Sequence, residues 1–98
     1  MLDIKSTKKE SELIYELTGR LDTSTAPDLD AKIKEEAVGI DSLIIDFKGL
    51  EYISSAGLRV VLAALKMMKD GRMVIRNVND EIMEIFEMTG FSDILTIE

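Results

Sequence analysis

The sequence has no cysteine and no histidine among its 98 residues. The first absence rules out disulfides, a thiolate nucleophile and a cysteine metal site. The second removes the commonest general base and the commonest metal ligand. Tryptophan is missing too, and only two Tyr and three Phe are present, so the core has to be built from Leu, Ile, Val, Ala and Met. The six Met suit an adaptable packing surface. No apolar run approaches the ~20 residues that a membrane span needs. The start, Met1-Leu2-Asp3-Ile4-Lys5, lacks a basic region followed by an apolar stretch. No signal peptide is therefore expected, and the default location is cytoplasmic. Basic charge is scarce: 12 Lys and Arg stand against 19 Asp and Glu, a net charge of −7. The acids are spread along the chain, as on an ordinary soluble surface. Without a basic footprint, direct nucleic-acid binding is not expected.

The length points to one domain over residues 1–98. Leu13, Tyr15, Leu17, Gly19 and Leu21 alternate with Ile14, Glu16, Thr18 and Arg20, the period of a half-buried strand. Residues 2–6 are its candidate partner strand, and polar Lys8 to Glu12 read as a turn. Thr25-Ala26-Pro27-Asp28 opens a helix, with Thr25 as cap and Asp28 in the first turn. Leu29, Ile33 and Ala37 line one face of that helix, and Gly39 ends it. Leu43-Ile44-Ile45 reads as a central strand buried on both faces, leaving at Gly49, with Tyr52-Ile53 as an extension of the pattern. Ser54-Ser55 opens a helix to about Lys69. Met73-Val74-Ile75 is a further strand. Asn77 or Asn79 caps a helix carrying Ile82, Ile85 and Phe86, Gly90 stops it, and Ile94 to Ile97 is a last strand. The alternation predicts an α/β fold, a mixed sheet with right-handed crossovers and helices mainly on one face.

The most unusual segment is Tyr52-Ile53-Ser54-Ser55-Ala56-Gly57-Leu58. Small residues at a strand-to-helix junction allow a tight turn. The hydroxyls fall beside the free N–H groups and positive dipole end of the helix, where negative charge is accepted. The plainer alternative is that Ser54 caps the helix and Ser55 is solvated. A serine hydrolase fits poorly, because the first Gly of the G-x-S-x-G elbow and an activating histidine are both lacking. On the following helix Leu58, Val61, Leu62 and Leu65 form an expected core stripe. Val60, Ala63, Ala64 and Met67 form a second one, which either packs on a neighbouring helix or serves as a contact surface. Asp22 and Asp46 could each end a strand, and a carboxylate pair there could bind metal or do acid–base work. Capping or a solvated turn is the simpler role for each.

The run Asp46-Phe47-Lys48-Gly49-Leu50-Glu51-Tyr52-Ile53-Ser54-Ser55-Ala56-Gly57-Leu58 resembles the signature of the STAS domain, the fold of bacterial anti-anti-sigma factors. Leu17-Thr18-Gly19-Arg20-Leu21-Asp22, the helix start at Thr25-Ala26 and the Phe86 to Phe91 pattern agree in order and spacing. The family motif usually reads Asp-Ser-x-Gly-Leu, with the Ser phosphorylated by a partner kinase. The resemblance thus implies Ser55 as the phosphorylation site and Ser54, standing where Asp is usual, as the second choice. It implies an anti-sigma factor antagonist that binds a serine-kinase anti-sigma factor when unphosphorylated, and a metal-dependent serine phosphatase as a further partner. The expected partner surface comprises Asp22, Thr23, Ser54, Ala56, Gly57 and Arg59 around that serine, with Val60 and Met67 from the second stripe. No catalytic residue, cofactor or metal is expected. The competing reading is a stand-alone STAS interaction subunit of a lipid-transport or stress-signalling assembly with no sigma-factor role.

Overall fold

The computed structural model describes residues 1–98. Strands β1 (Leu2–Lys9) and β2 (Glu12–Leu21) form an antiparallel hairpin, with Lys9 opposite Glu12. Its two-residue turn puts Glu10 in the left-handed region at φ 57°. The expected turn from Lys8 to Glu12 is thus too long. Lys8 and Lys9 belong to β1, whose edge position tolerates, and is protected by, exposed lysines.

Next come α1 (Ala26–Glu36), β3 (Ser42–Ile53), α2 (Ser55–Met67), β4 (Arg72–Arg76), α3 (Asp80–Thr89), α4 (Phe91–Ile94) and β5 (Thr96–Ile97). The sheet order is β1-β2-β3-β4-β5, with β2 to β5 mutually parallel. Because the order climbs in one direction, every right-handed crossover returns on the same side. The helices therefore cover one face, where Leu13, Tyr15, Leu17, Leu43, Ile45, Phe47, Met73 and Ile75 join the 23-residue core cluster with Leu29, Ile33, Val61, Ile82 and Phe86. The ring of Tyr15 is fully buried there, and its hydroxyl donates to Glu36 at 2.7 Å. Burial and that carboxylate together push the phenol pKa well above its ordinary value.

On the opposite face the register aligns Thr7, Ile14, Ile44, Val74 and Thr96 in one row. Lys5, Glu16, Asp46 and Arg76 form the next row. Glu98 bridges Arg72 at 3.2 Å and Arg76 at 3.5 Å, on either side of Val74 along β4. Ile44 and Val74 are buried, so the middle of β3 is covered on both sides even though the helices lie on one.

Three further expectations change. β3 does not leave at Gly49; it runs unbroken to Ile53 and takes in the expected extension at Tyr52-Ile53. Two register shifts against β2 absorb the two extra β3 residues, which keeps Leu50 and Ile53 facing the core. A side chain at Gly49 would stand 2.7 Å from Thr18 Oγ1, so the strands could not approach there with a larger residue. The last strand shrinks to Thr96–Ile97, because Phe91 to Ile94 form a helical turn in which the Phe91 ring stacks on Phe86 at 6.3 Å. The Thr25 hydroxyl does not cap α1; it donates to the Arg20 carbonyl at 2.8 Å and accepts from Asp22 N–H at 2.9 Å. Of the two asparagines, Asn79 caps α3, accepting from Ile82 N–H at 2.8 Å.

Candidate functional site

Parallel strands deliver their following loops to one edge of the sheet, the usual place for binding in α/β folds. Here β2 and β3 end side by side, Leu21 in register with Ile53. The Ser54 N–H extends that pairing by donating to the Leu21 carbonyl at 2.9 Å. Asp22 and Ser54 are thereby the first residues beyond two adjacent strand ends. The two-residue turn between β1 and β2 and the α2–β4 connection lie at the other end.

Ser54 is the N-cap of α2. Its backbone is extended (φ −99°, ψ 176°), and its hydroxyl oxygen accepts from Gly57 N–H at a long 3.4 Å. Ser55 is the first helical residue and is exposed. No acid occupies the first turn of α2, so that turn itself brings no negative charge to the positive end of the helix. Gly57 makes the junction possible: a Cβ there would lie 2.8 Å from both Leu21 Cγ and Ile53 Cγ1, and 2.9 Å from the Leu21 carbonyl oxygen.

The Asp22 loop is built differently. Its Oδ1 accepts from Ser24 N–H at 3.0 Å, the Ser24 hydroxyl at 2.8 Å and Thr25 N–H at 3.2 Å. Its Oδ2 lies 3.7 Å from Arg20 Nε. These donors, the Ser24 hydroxyl foremost, hold the Asp22 carboxyl below its ordinary range, against a smaller opposing effect of desolvation. The carboxylate thus serves its own loop. Asp46 lies within β3 instead of at a strand end, accepting from Lys48 N–H at 2.9 Å and from the Asn77 amide at 3.0 Å. It does not pair with Asp22, and no three acidic side chains converge as a metal site.

Among the expected surface residues, Thr23 and Arg59 are exposed, and Ala56 and Ser54 are half-buried. Gly57 and Val60 are not on the surface. Gly57 is buried against the strand ends, and Val60 is 8 % exposed. The cause is that α2 packs on α1 as well as on the sheet, so two adjacent faces are covered. Val60 and Ala64 are buried between them, Leu58, Leu62 and Leu65 are only half-buried, and Val61 alone of the expected stripe is fully buried. Met67, at 42 % exposed, is the member of the second stripe open to solvent together with Ala63.

Sequence reasoning missed one exposed constellation at this edge. The Arg20 guanidinium stacks over the Tyr52 ring at 4.3 Å, a cation–π contact. The two residues are register partners only because a shift falls between Gly19 and Arg20; strict alternation would not pair them. None of the three surface depressions is lined by Asp22, Ser54 or Ser55. The surface around these three residues thus forms no depression that would enclose a small ligand. No helix is long and apolar enough to cross a membrane.

The STAS domain family model matches residues 3–98. The anti-sigma-B factor antagonist of Bacillus subtilis is 30 % identical over 98 residues, covering 98 % of this chain and 88 % of that protein. The fold superposes on an anti-sigma factor antagonist from Mycobacterium paratuberculosis with a TM-score of 0.89 at 19 % identity, over 99 % of this chain and 85 % of the other. It also matches the Bacillus cell fate determinant SpoIIAA in its phosphorylated form, with a TM-score of 0.78 at 19 % identity, over 98 % and 91 % of the two chains.

Proposed function

This chain belongs to the STAS domain family, and from that premise we propose that it is an anti-sigma factor antagonist switched by phosphorylation of Ser55. In the unphosphorylated state it binds a serine-kinase anti-sigma factor and frees the sigma factor. The bound kinase phosphorylates Ser55 and releases it, and a metal-dependent serine phosphatase restores the binding form. The observation that carries this reading is the position of Ser55: exposed, first in α2, beside a cap that holds no charge and in a turn without acids. The contact surface comprises Thr23, Ser54, Ala56, Arg59 and Met67 around that serine, and Asp22 shapes its far side.

The physics of the switch is a contrast between fold and interface. A phosphate adds about −1.5 to −2 charges at pH 7. At a helix N-terminus the domain tolerates that charge. In a closely packed interface an unpaired buried charge costs several kcal/mol, and ~2.7 kcal/mol already weakens binding about a hundredfold.

The test is direct. Ser55→Asp is expected to weaken binding to the cognate anti-sigma kinase by tenfold or more, about 1.4 kcal/mol, with an almost unchanged thermal melt. Ser55→Ala is expected to bind constitutively and to incorporate no phosphate from the kinase. A Ser55→Asp protein that binds as tightly as wild type, or a Ser55→Ala protein that is still phosphorylated, would sink the assignment; phosphate on Ser54 would move it by one residue.

A further inference from the structure

Ser55 and Arg59 are four residues apart on α2, so their side chains project from the same side of the helix. Helical side chains lean toward the N-terminus, which directs Arg59 back over Ser55. Both residues are exposed. Three of the four arginines are already ion-paired, Arg20 with Asp22 and both Arg72 and Arg76 with Glu98. Arg59 is the one with no carboxylate partner, and the first turn of its helix holds no acid that could supply one. Of the charges flanking the two junctions, Asp22 and Arg20 are paired with each other.

We propose that a phosphate on Ser55 takes Arg59 as its intramolecular counter-ion and so withdraws that guanidinium from the partner-facing surface. This rests on the reading of Ser55 as the phosphorylated residue. The planar guanidinium fork matches two phosphate oxygens at once, and the order of the pair, anion before cation at i and i+4, is the favourable one along a helix. Arginine is also among the residues that most often dominate binding energy at protein interfaces. Phosphorylation then acts twice: it places negative charge on the contact surface, and it occupies the unpaired arginine that the unphosphorylated form offers to its partner. The pairing also anchors the phosphate along α2.

The experiment uses the full chain with phosphoserine installed at position 55 during translation, so that no kinase is needed. The phosphate is titrated by phosphorus NMR in wild type and in Arg59→Ala. Removal of the guanidinium is expected to raise the second phosphate pKa by roughly 0.2–0.4 unit, the scale of one exposed helical charge pair. Arg59→Lys recovers part of the shift, and 1 M salt shrinks it. Binding to the cognate anti-sigma kinase adds a second readout: Arg59→Ala weakens the unphosphorylated protein about tenfold, and phosphorylation then weakens it by a smaller factor than in wild type. Superimposable titration curves for wild type and Arg59→Ala overturn the pairing while leaving Ser55 as the switch residue. A kinase that leaves Ser55 unmodified removes the premise and the proposal with it, even if the titrations differ.

Discussion

Two strand-to-helix junctions stand side by side at the carboxyl edge of the sheet, built from similar hydroxyl-rich residues and opposite in electrostatics. At the β2–α1 junction, Asp22 already holds a negative charge, satisfied by Ser24, Thr25 and Arg20. At the β3–α2 junction, Ser54 caps with a neutral hydroxyl, Ser55 is exposed, and no acid follows in the first turn. The first junction is complete as it stands; the second has an open positive end. The lesson is that a hydroxyl-rich helix start does not define a regulatory site. The difference lies in whether the junction already carries acids, as the first does with Asp22 in its loop and Asp28 in the first turn of α1.

The largest expected effect comes from breaking the second junction itself. Gly57→Val puts a branched side chain where even a Cβ would meet Leu21 and Ile53 at 2.8 Å. Overpacking of that kind costs about 3 kcal/mol, a drop in melting temperature of roughly 10 °C or more. A thermal melt within a few degrees of wild type would mean that α2 can slide outward and that the junction is not rigid.

A smaller effect tests how much the neutral cap contributes. Ser54→Ala removes a capping bond that is long, at 3.4 Å, so the loss is expected at the low end of the capping range, about 0.5 kcal/mol by denaturant titration. Ser54→Asp is expected to recover that loss through the helix dipole. A loss of about 2 kcal/mol on removing the hydroxyl would mean that this long bond caps α2 as strongly as a short one.

The smallest effect concerns the charge of the first junction. Asp22→Asn keeps the Oδ1 acceptor, so only the charge-dependent part is lost. The folded-state pKa of Asp22 lies below its ordinary value of 3.8. The ionised form therefore favours folding, fully above the ordinary value, and that contribution disappears as pH falls through the lower folded-state value. Wild type is expected to be slightly more stable than Asp22→Asn at neutral pH, with the two acid-unfolding curves converging below pH 3.8. The same variant is expected to slow phosphorylation of Ser55 or weaken kinase binding. Unchanged kinetics together with a displaced acid-unfolding curve would confine Asp22 to its own loop.

The amino-acid sequence by itself determined the order of elements as far as α3 and the position of the second junction. Period-two alternation from Leu13 to Leu21, the caps at Ser54 and Asn79, the stop at Gly90 and the small residues from Ser54 to Gly57 are local features, and local steric and hydrogen-bonding rules read them directly. Tertiary structure decided what depends on neighbours distant in the chain. The two register shifts that carry β3 past Gly49 exist because β3 must follow β2 while keeping Leu50 and Ile53 in the core. Val60 is buried because α1 lies beside α2, a fact that no periodicity within α2 contains. Arg20 meets Tyr52 only through one of those shifts. Asp22 turns to its own loop because the Ser24 and Thr25 donors are close and fixed there. A helix pattern states which residues are apolar; only the packed chain states which of them a second helix will cover.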